Sequence, residues 1–342
     1  MHKNDRILVT GATGFIGSYV LRTLIDKGYN NVVAMKREKS KMDLVQPVID
    51  QVQWLDADLL DISSIEEIIK DIKAVVHAAA MVSFDRRDRQ KIYKVNIEGT
   101  SNLVNCCLEH DIDKFIQVSS IAVFSRKGDK QEIDEQTNWD YHAPATDYAI
   151  SKYKAEMEVW RAGAEGLPIA IINPSLVLGA GFWDSGSASL FKKNYDGLPF
   201  YPRGVNGFVD VRDVADAVIL LLEKPIVNQR FVINGENLSY LEVSTMMAEA
   251  LGRKPPHIAL NPFLRELALF RAWILRNFFG REEVISRGTL RNAQRHFYFD
   301  STKSREVLGL KYRPIRDTIQ ETCRLVNEAA KDDFQPKYLP LK

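Results

Sequence analysis

The stretch ILVTGATGFIGSYVLRTLIDKGY, residues 7–29, places three glycines between a β-branched run and an amphipathic segment. Gly11, Gly14 and Gly17 recur at every third position, and the apolar run Ile7, Leu8, Val9 before them has the character of a strand buried on both faces. After Gly17 the apolar residues Val20, Leu21, Leu24 and Ile25 fall at helical spacing, and Lys27-Gly28 supplies a last-turn cation and a C-cap. A strand that enters a helix through a glycine turn leaves backbone N–H groups and the positive end of the helix dipole pointing at one spot. That arrangement suits a pyrophosphate. Gly11, Thr13, Gly14, Phe15, Ile16 and Gly17 are therefore candidate nucleotide-binding residues, the alternative being a tight strand-to-helix connection without a ligand.

The chain around this turn has 342 residues, 45% of them hydrophobic, enough to bury a large core. A formal charge of +1 with interspersed acids and bases gives no global field, which disfavours nucleic acid as a partner. The three cysteines, two of them the adjacent Cys106 and Cys107, have neither metal-ligand spacing nor a disulfide framework, as expected in a reducing cytoplasm. His77, His142, His257 and His296 are scattered, so no metal site is expected. The first strand begins so early that no signal peptide is expected, and no run reaches the ~20 apolar residues of a membrane span.

Downstream, short Val/Ile-rich runs alternate with helical patterns. Strands are expected at 31–35, 52–55, 74–77, 114–118 and 168–172, and helices at 62–69, 89–108, 148–161 and 211–223. Alternation of this kind predicts an α/β fold: a doubly wound parallel sheet of about six or seven strands with helices on both faces. From Gly179 the order loosens into loops bearing Gly, Pro and Ser, which predicts a smaller carboxyl-terminal lobe. We expect a nucleotide-binding domain over 1–178 and a mainly substrate-binding lobe over 179–342, with about 205–235 returning to the core.

About twenty residues beyond the last glycine of such a turn, an acid would hold a ribose 2′-OH and an arginine a 2′-phosphate. The sequence there is AMKREKSK, residues 34–41, with Lys36 and Arg37 closing the second strand. This predicts NADP over NAD, against the alternative of a solvated loop of mixed charge. A second signal is YAISK, residues 148–152. Four residues make about one helical turn, so the Tyr148 phenol and the Lys152 ammonium share a face. A phenol titrates near ~10 and needs a neighbouring cation to act as a base at neutral pH. Ser119 and Ser120, at the end of the strand in FIQVSSIAVF, residues 115–124, lie at the edge where ligands of such sheets bind. A hydroxyl donor, a phenol and a cation beside a nicotinamide are the equipment for hydride transfer at a carbinol carbon.

TGATGFIG at 10–17, HAAA at 77–80, VSS at 118–120 and YAISK together resemble the extended short-chain dehydrogenase/reductase family, over nearly the whole chain. VNIEGTSNLV with Asn96, NPSLVLGAG from Asn173 and FVDVRDVADA from Phe208 agree with it. The basic end of the second strand and the closing LGLKYRPIRDTIQET are most similar to the dihydroflavonol-4-reductase and 3β-hydroxysteroid dehydrogenase branch. The resemblance implies Tyr148 as acid/base, Lys152 as ribose anchor and pKa-lowering cation, and Ser120 as binder of the substrate oxygen. It implies a structural or relay role for Asn96. Asp58 and Leu59 would meet the adenine, Ala78, Ala79 and Ala80 would pass the dinucleotide, and Pro174 and Val177 would sit by the nicotinamide. A homodimer is implied, with contacts from parts of 89–108 and 148–161.

Three departures narrow the reading. Sugar dehydratases of the family carry a Thr-Asp-Glu set where this chain has Ser120, Ile121 and Ala122, so no carboxylates serve an elimination. Nucleotide-sugar epimerases share the Ser/Tyr/Lys set but usually hold NAD with an acid at the second strand, where Lys36 and Arg37 stand here. Regulatory members that bind nucleotide without turnover have typically lost the tyrosine, which this chain keeps. The expectation is thus a cytoplasmic NADP-dependent oxidoreductase acting on a small-molecule carbonyl or secondary alcohol, with an NAD-dependent nucleotide-sugar epimerase and a nucleotide-sensing binding protein as the alternatives. The apolar stretch 260–280, interrupted by Arg265, Arg271 and Arg276, reads as a helix packed in the lobe or at a subunit contact. Alternatively it lines a greasy pocket or rests on a membrane surface. It inclines the substrate expectation toward a bulky, apolar compound.

Overall fold

The computed structural model describes residues 1–125, 131–264, 266 and 287–341. Seven strands, β1 (Ile7–Thr10), β2 (Val32–Lys36), β3 (Gln53–Asp56), β4 (Ala74–His77), β5 (Lys114–Val118), β6 (Ile169–Pro174) and β7 (Gln229–Ile233), form one sheet in the order β7-β6-β5-β4-β1-β2-β3. Every pairing in it is parallel. Apolar runs drive this arrangement, since every residue of β1, β5 and β6 is buried. Side chains that alternate along a strand feed two cores. Ile7 and Val9 pack on the side of α1 (Phe15–Asp26), whereas Leu8 packs on the side of α2 (Ile62–Ile69) and α3 (Gly99–Leu108). Helix α4 (Asp147–Ala164) joins the second core through Val159 and Ala162, and α5 (Val211–Glu223) joins the first through Val214 and Val218. The sheet is doubly wound, as the alternation predicted.

The order reverses between β1 and β4, so their carboxyl-terminal loops diverge and open a crevice. A second, three-stranded sheet of Leu176–Leu178, Val205–Asp210 and Glu236–Ser239 stands beyond the end of β6. Helices Tyr240–Ala250 and Ile315–Ala329 pack beside it. The strands expected at 74–77 and 114–118 and the helices at 62–69 and 211–223 have those bounds, while the other strands shift by one or two residues.

One expected helix differs in kind. Residues 89–108 are helical but broken by a π turn at Lys94–Glu98, which carries Asn96. The wider turn lets the Asn96 carboxamide serve both backbone groups of Met81: Oδ1 accepts from the Met81 N–H at 2.7 Å and Nδ2 donates to its carbonyl at 3.0 Å. Residues 265 and 267–280 of the apolar stretch lie outside the described residues.

Candidate active site

The glycine turn is tight enough that side chains are excluded from it. Gly11 has φ +67°, and a Cβ there would lie 2.6 Å from Cα of Ala79 on the loop after β4. A Cβ on Gly17 would lie 2.1 Å from the Gly11 carbonyl oxygen. Gly14 donates its N–H to that same oxygen at 2.9 Å and caps α1, whose first turn has no acid and no capping side chain. The first N–H groups of the helix therefore face the crevice without an intrahelical partner, a cradle that fits the phosphates of a dinucleotide.

This cradle floors a cleft of about 940 Å³ lined by the nucleotide-binding candidates and by Ser120, Tyr148 and Lys152, while Asn96 stays buried behind it. Gly11, Thr13, Gly14, Phe15, Ile16 and Gly17 line one end beside Lys36, Arg37, Asp58 and Leu59. Ala78, Ala79 and Ala80 form a wall from β4, and Ser120, Tyr148, Lys152, Pro174 and Val177 line the far part. At the edge of β2 the two basic residues behave differently. Lys36 pairs with Asp56 at 2.5 Å, on the position of β3 that opposes it in register. Arg37 is exposed, and its backbone N–H binds the Ser40 hydroxyl at 3.0 Å.

Tyr148 stands at the start of α4, where the Thr146 hydroxyl accepts from the Ala149 N–H at 3.1 Å. Its ring meets Phe84 edge-on at 5.6 Å, and Ser120 lines the same cleft. Ser120 Oγ also accepts from the Ala122 N–H at 3.1 Å, so its own proton serves the cleft side. Burial raises the Tyr148 pKa above the usual phenol value, and the Ser120 hydroxyl only partly offsets this. The Lys152 ammonium, 2% exposed, donates to the Val118 carbonyl at 3.0 Å, and burial lowers its pKa to about 8 against the opposing pull of Glu156. Lys152 follows Tyr148 by one helical turn on α4 and lines the same cleft.

The two serines differ in their partners. The Ser119 hydroxyl donates to Glu156 at 2.6 Å, whereas Ser120 makes no bond to that carboxylate and lines the cleft beside Tyr148. Glu156, one turn past Lys152, is a site neighbour not singled out from the sequence, though the same four-residue spacing that linked Tyr148 to Lys152 points to it. Phe84 and Trp139, also lining the cleft, carried no sequence signal.

His77 is a satisfied core residue. Thr100 donates to the Asn96 carbonyl at 2.6 Å, so it accepts from His77 Nε2–H at 3.0 Å, and Nδ1 accepts from the Thr10 hydroxyl at 2.6 Å. Burial, seconded by the Lys152 charge, lowers its pKa to about 3. The ring is neutral and ties β1 and β4 together just below the switch point. Among the described residues no cluster of His, Cys, Asp and Glu could hold a metal, and no helix is long and apolar enough to cross a membrane.

The sequence pattern of the NAD dependent epimerase/dehydratase family matches residues 7–234. Over 330 residues, 93% of each chain, this protein is 28% identical to a putative dihydroflavonol 4-reductase of Synechocystis sp.. It is 26% identical to a UDP-glucose 4-epimerase of Vibrio cholerae over 89% of this chain and 90% of that one. The crystal structure of gox2253 superposes with a TM-score of 0.82 at 30% identity, covering 97% of this chain and all 100% of the other. A UDP-glucose 4-epimerase of Thermotoga maritima shares the fold, with a TM-score of 0.77 at 22% identity over 95% and 99% of the two chains. With its parallel sheet, glycine cradle and Ser/Tyr/Lys cleft, the chain belongs to the NAD dependent epimerase/dehydratase family, the extended short-chain dehydrogenase/reductases, and is an NAD(P)-dependent enzyme.

Proposed function

We propose that this enzyme is an NADP-dependent reductase that transfers a hydride to the carbonyl carbon of a bulky, apolar small molecule, acting as a cytoplasmic homodimer. The observation that carries the reading is the gathering of Ser120, Tyr148 and Lys152 beyond the glycine cradle, in one cleft. Around that group the lining includes Met81, Val82, Phe84, Phe124, Trp139 and Leu190, a surface suited to an apolar body. The putative dihydroflavonol 4-reductase match over nearly its whole length supports the same reading.

Gly11, Gly14, Gly17 and the start of α1 would hold the phosphates, Asp58 and Leu59 the adenine end, and Pro174 and Val177 the nicotinamide end. Arg37 would meet the 2′-phosphate, since the Lys36 charge is already engaged by Asp56. A nicotinamide bound there supplies the hydride. Ser120 donates a hydrogen bond to the substrate oxygen, keeping its own proton, and orients the carbonyl. Tyr148 then passes its phenolic proton to that oxygen. Burial raises the phenol's pKa, so it is protonated at neutral pH, the state a proton donor needs. Lys152 keeps a positive charge close to the end of β5 and offers an anchor for the ribose.

The test is Tyr148→Phe, which removes the proton donor and keeps the ring against Phe84. Loss of general acid catalysis costs typically about 10²–10⁴-fold in turnover. Near-normal carbonyl reduction by this variant would overturn the assignment. A second reading, an NAD-dependent nucleotide-sugar epimerase, is favoured by one observation, the match to the Vibrio cholerae UDP-glucose 4-epimerase, and it predicts NAD in place of NADP.

A further inference from the structure

Beneath the cleft lies a carboxylate with more partners than its place on a helix explains. Glu156 is 1% exposed and accepts from four side chains on four different segments. Ser119, at the end of β5, reaches it at 2.6 Å; Asn173, on β6, at 2.8 Å; Trp160, one turn on, at 3.3 Å; and Arg230, on β7, at 3.2 Å. Each of the first, second and fourth is next to, or part of, a wall of the cleft. Ser119 precedes Ser120, and Asn173 precedes Pro174 and also donates to the Ser120 carbonyl at 3.3 Å. Arg230 extends the connection outward. Its Nε and Nη2 donate to the carbonyls of Glu135 at 2.8 Å and Thr137 at 3.3 Å, and its guanidinium lies 4.9 Å from the Phe124 ring centre. Residues 135–137 begin the segment that carries Trp139, whose ring stacks on Tyr153 at 4.5 Å, beside Lys152.

We propose that Glu156, clamped by Arg230, is a positioning residue that sets the walls of the cleft around Ser120, Tyr148 and Lys152. The inference rests on the reductase reading for its kinetic consequence only; the geometry stands without it. A buried carboxylate is costly unless fully paired, and this one is paired by a guanidinium and three neutral donors. Holding the ends of β5 and β6 through one anion fixes Ser120 relative to Pro174, the hydroxyl wall relative to the expected nicotinamide wall. The same anion lies one helical turn from Lys152 and opposes the loss of its proton. The other charged and titratable groups about the pair are His77 from β4, Tyr148 and Tyr153 on α4, and Lys303 and Glu135 on the far side of Arg230.

Glu156→Gln keeps the shape and removes the charge, and its amide oxygen still accepts from one of the two donor pairs, Ser119 with Asn173 or Trp160 with Arg230. The expected result is a folded protein with NADPH affinity unchanged within about twofold and kcat lowered about tenfold. The alkaline limb of its pH profile moves to lower pH by about one unit, because Lys152 loses its neighbouring anion. A purely structural role would lower thermal stability and leave that limb in place. Heteronuclear NMR titration of the lysine ammonium groups reads the Lys152 shift without turnover. If the wild type reduces no carbonyl, the reductase reading fails while this titration still decides the role of Glu156. A folded Glu156→Gln protein with unmoved Lys152 titration and unmoved kcat overturns the proposal. Arg230→Lys keeps the charge on Glu156 and drops the fork to Glu135 and Thr137. It is expected to raise KM several-fold with the pH limb unmoved; an unchanged KM would overturn the clamp.

Discussion

Lys36 Nζ lies 2.5 Å from Asp56 Oδ1, at positions that face each other across β2 and β3. The pair is partly exposed and adds little stability, but it commits the one cation on the strand itself and leaves Arg37, just beyond, as the candidate 2′-phosphate ligand. Arg37→Asp is therefore expected to weaken NADPH binding about 10- to 100-fold and to leave NADH binding nearly unchanged or improved. Lys36→Ala should have a smaller effect. Calorimetric titration of both nucleotides against both variants checks this, and an unchanged preference in Arg37→Asp would contradict it.

Gly17→Ala asks whether the cradle is steric. The new methyl would sit 2.1 Å from the Gly11 carbonyl oxygen, a backbone atom with no flexible end to swing away. Displacing that turn moves the N–H groups that face the phosphates, so both nucleotides should lose at least about tenfold in affinity, while far-ultraviolet circular dichroism shows the fold retained. Nucleotide affinity equal to wild type would mean that the close packing of this turn is not what shapes the site.

The Lys152 ammonium, held to the Val118 carbonyl, titrates at about 8 because burial disfavours its charge. Activity that depends on the charged form is present below that pH and is lost as pH rises through it. A kcat profile with an alkaline limb near pH 8 is expected, measured with saturating nucleotide. A profile flat to pH 10 would separate Lys152 from the reaction.

His77 affects stability, not chemistry. Its folded pKa, about 3, lies below the ordinary histidine value of ~6.5, so below ~6.5 the unfolded chain takes up a proton that the folded one refuses. Its contribution is fully present above ~6.5 and is lost as pH falls toward about 3, with a slope approaching ~1.4 kcal/mol per pH unit. Denaturant melts of wild type and His77→Gln across that window should show the variant with a shallower acid slope. Equal slopes would mean that the ring is charged in the fold.

How far the sequence discloses this molecule follows from the range of each interaction. The glycine turn, the buried strands and the helix Val211–Glu223 are read directly, because their patterns depend on neighbours a few residues apart. The convergence of Ser120 with Tyr148 was reachable through the rule that ligands meet the carboxyl ends of parallel strands. The π turn at Lys94–Glu98 was not, since its apolar spacing is that of an ordinary helix and its Asn96 is bonded to the backbone of Met81, fifteen residues away. Asp56 neutralising Lys36 and Arg230 meeting Glu156 depend on sheet register, which joins residues far apart in the chain. The raised Tyr148 phenol was hidden for a related reason: the sequence shows the neighbouring Lys152 and not the burial of the ring.

The most direct test of the central claim is to identify the nucleotide that accompanies the purified protein, and then to titrate the emptied protein with NADPH and NADH. A preference for NADPH with ready exchange is the predicted result, as a reductase must release its nucleotide at each turnover. Firmly retained NAD, with no gain from the 2′-phosphate, would contradict the account and turn the search to nucleotide sugars.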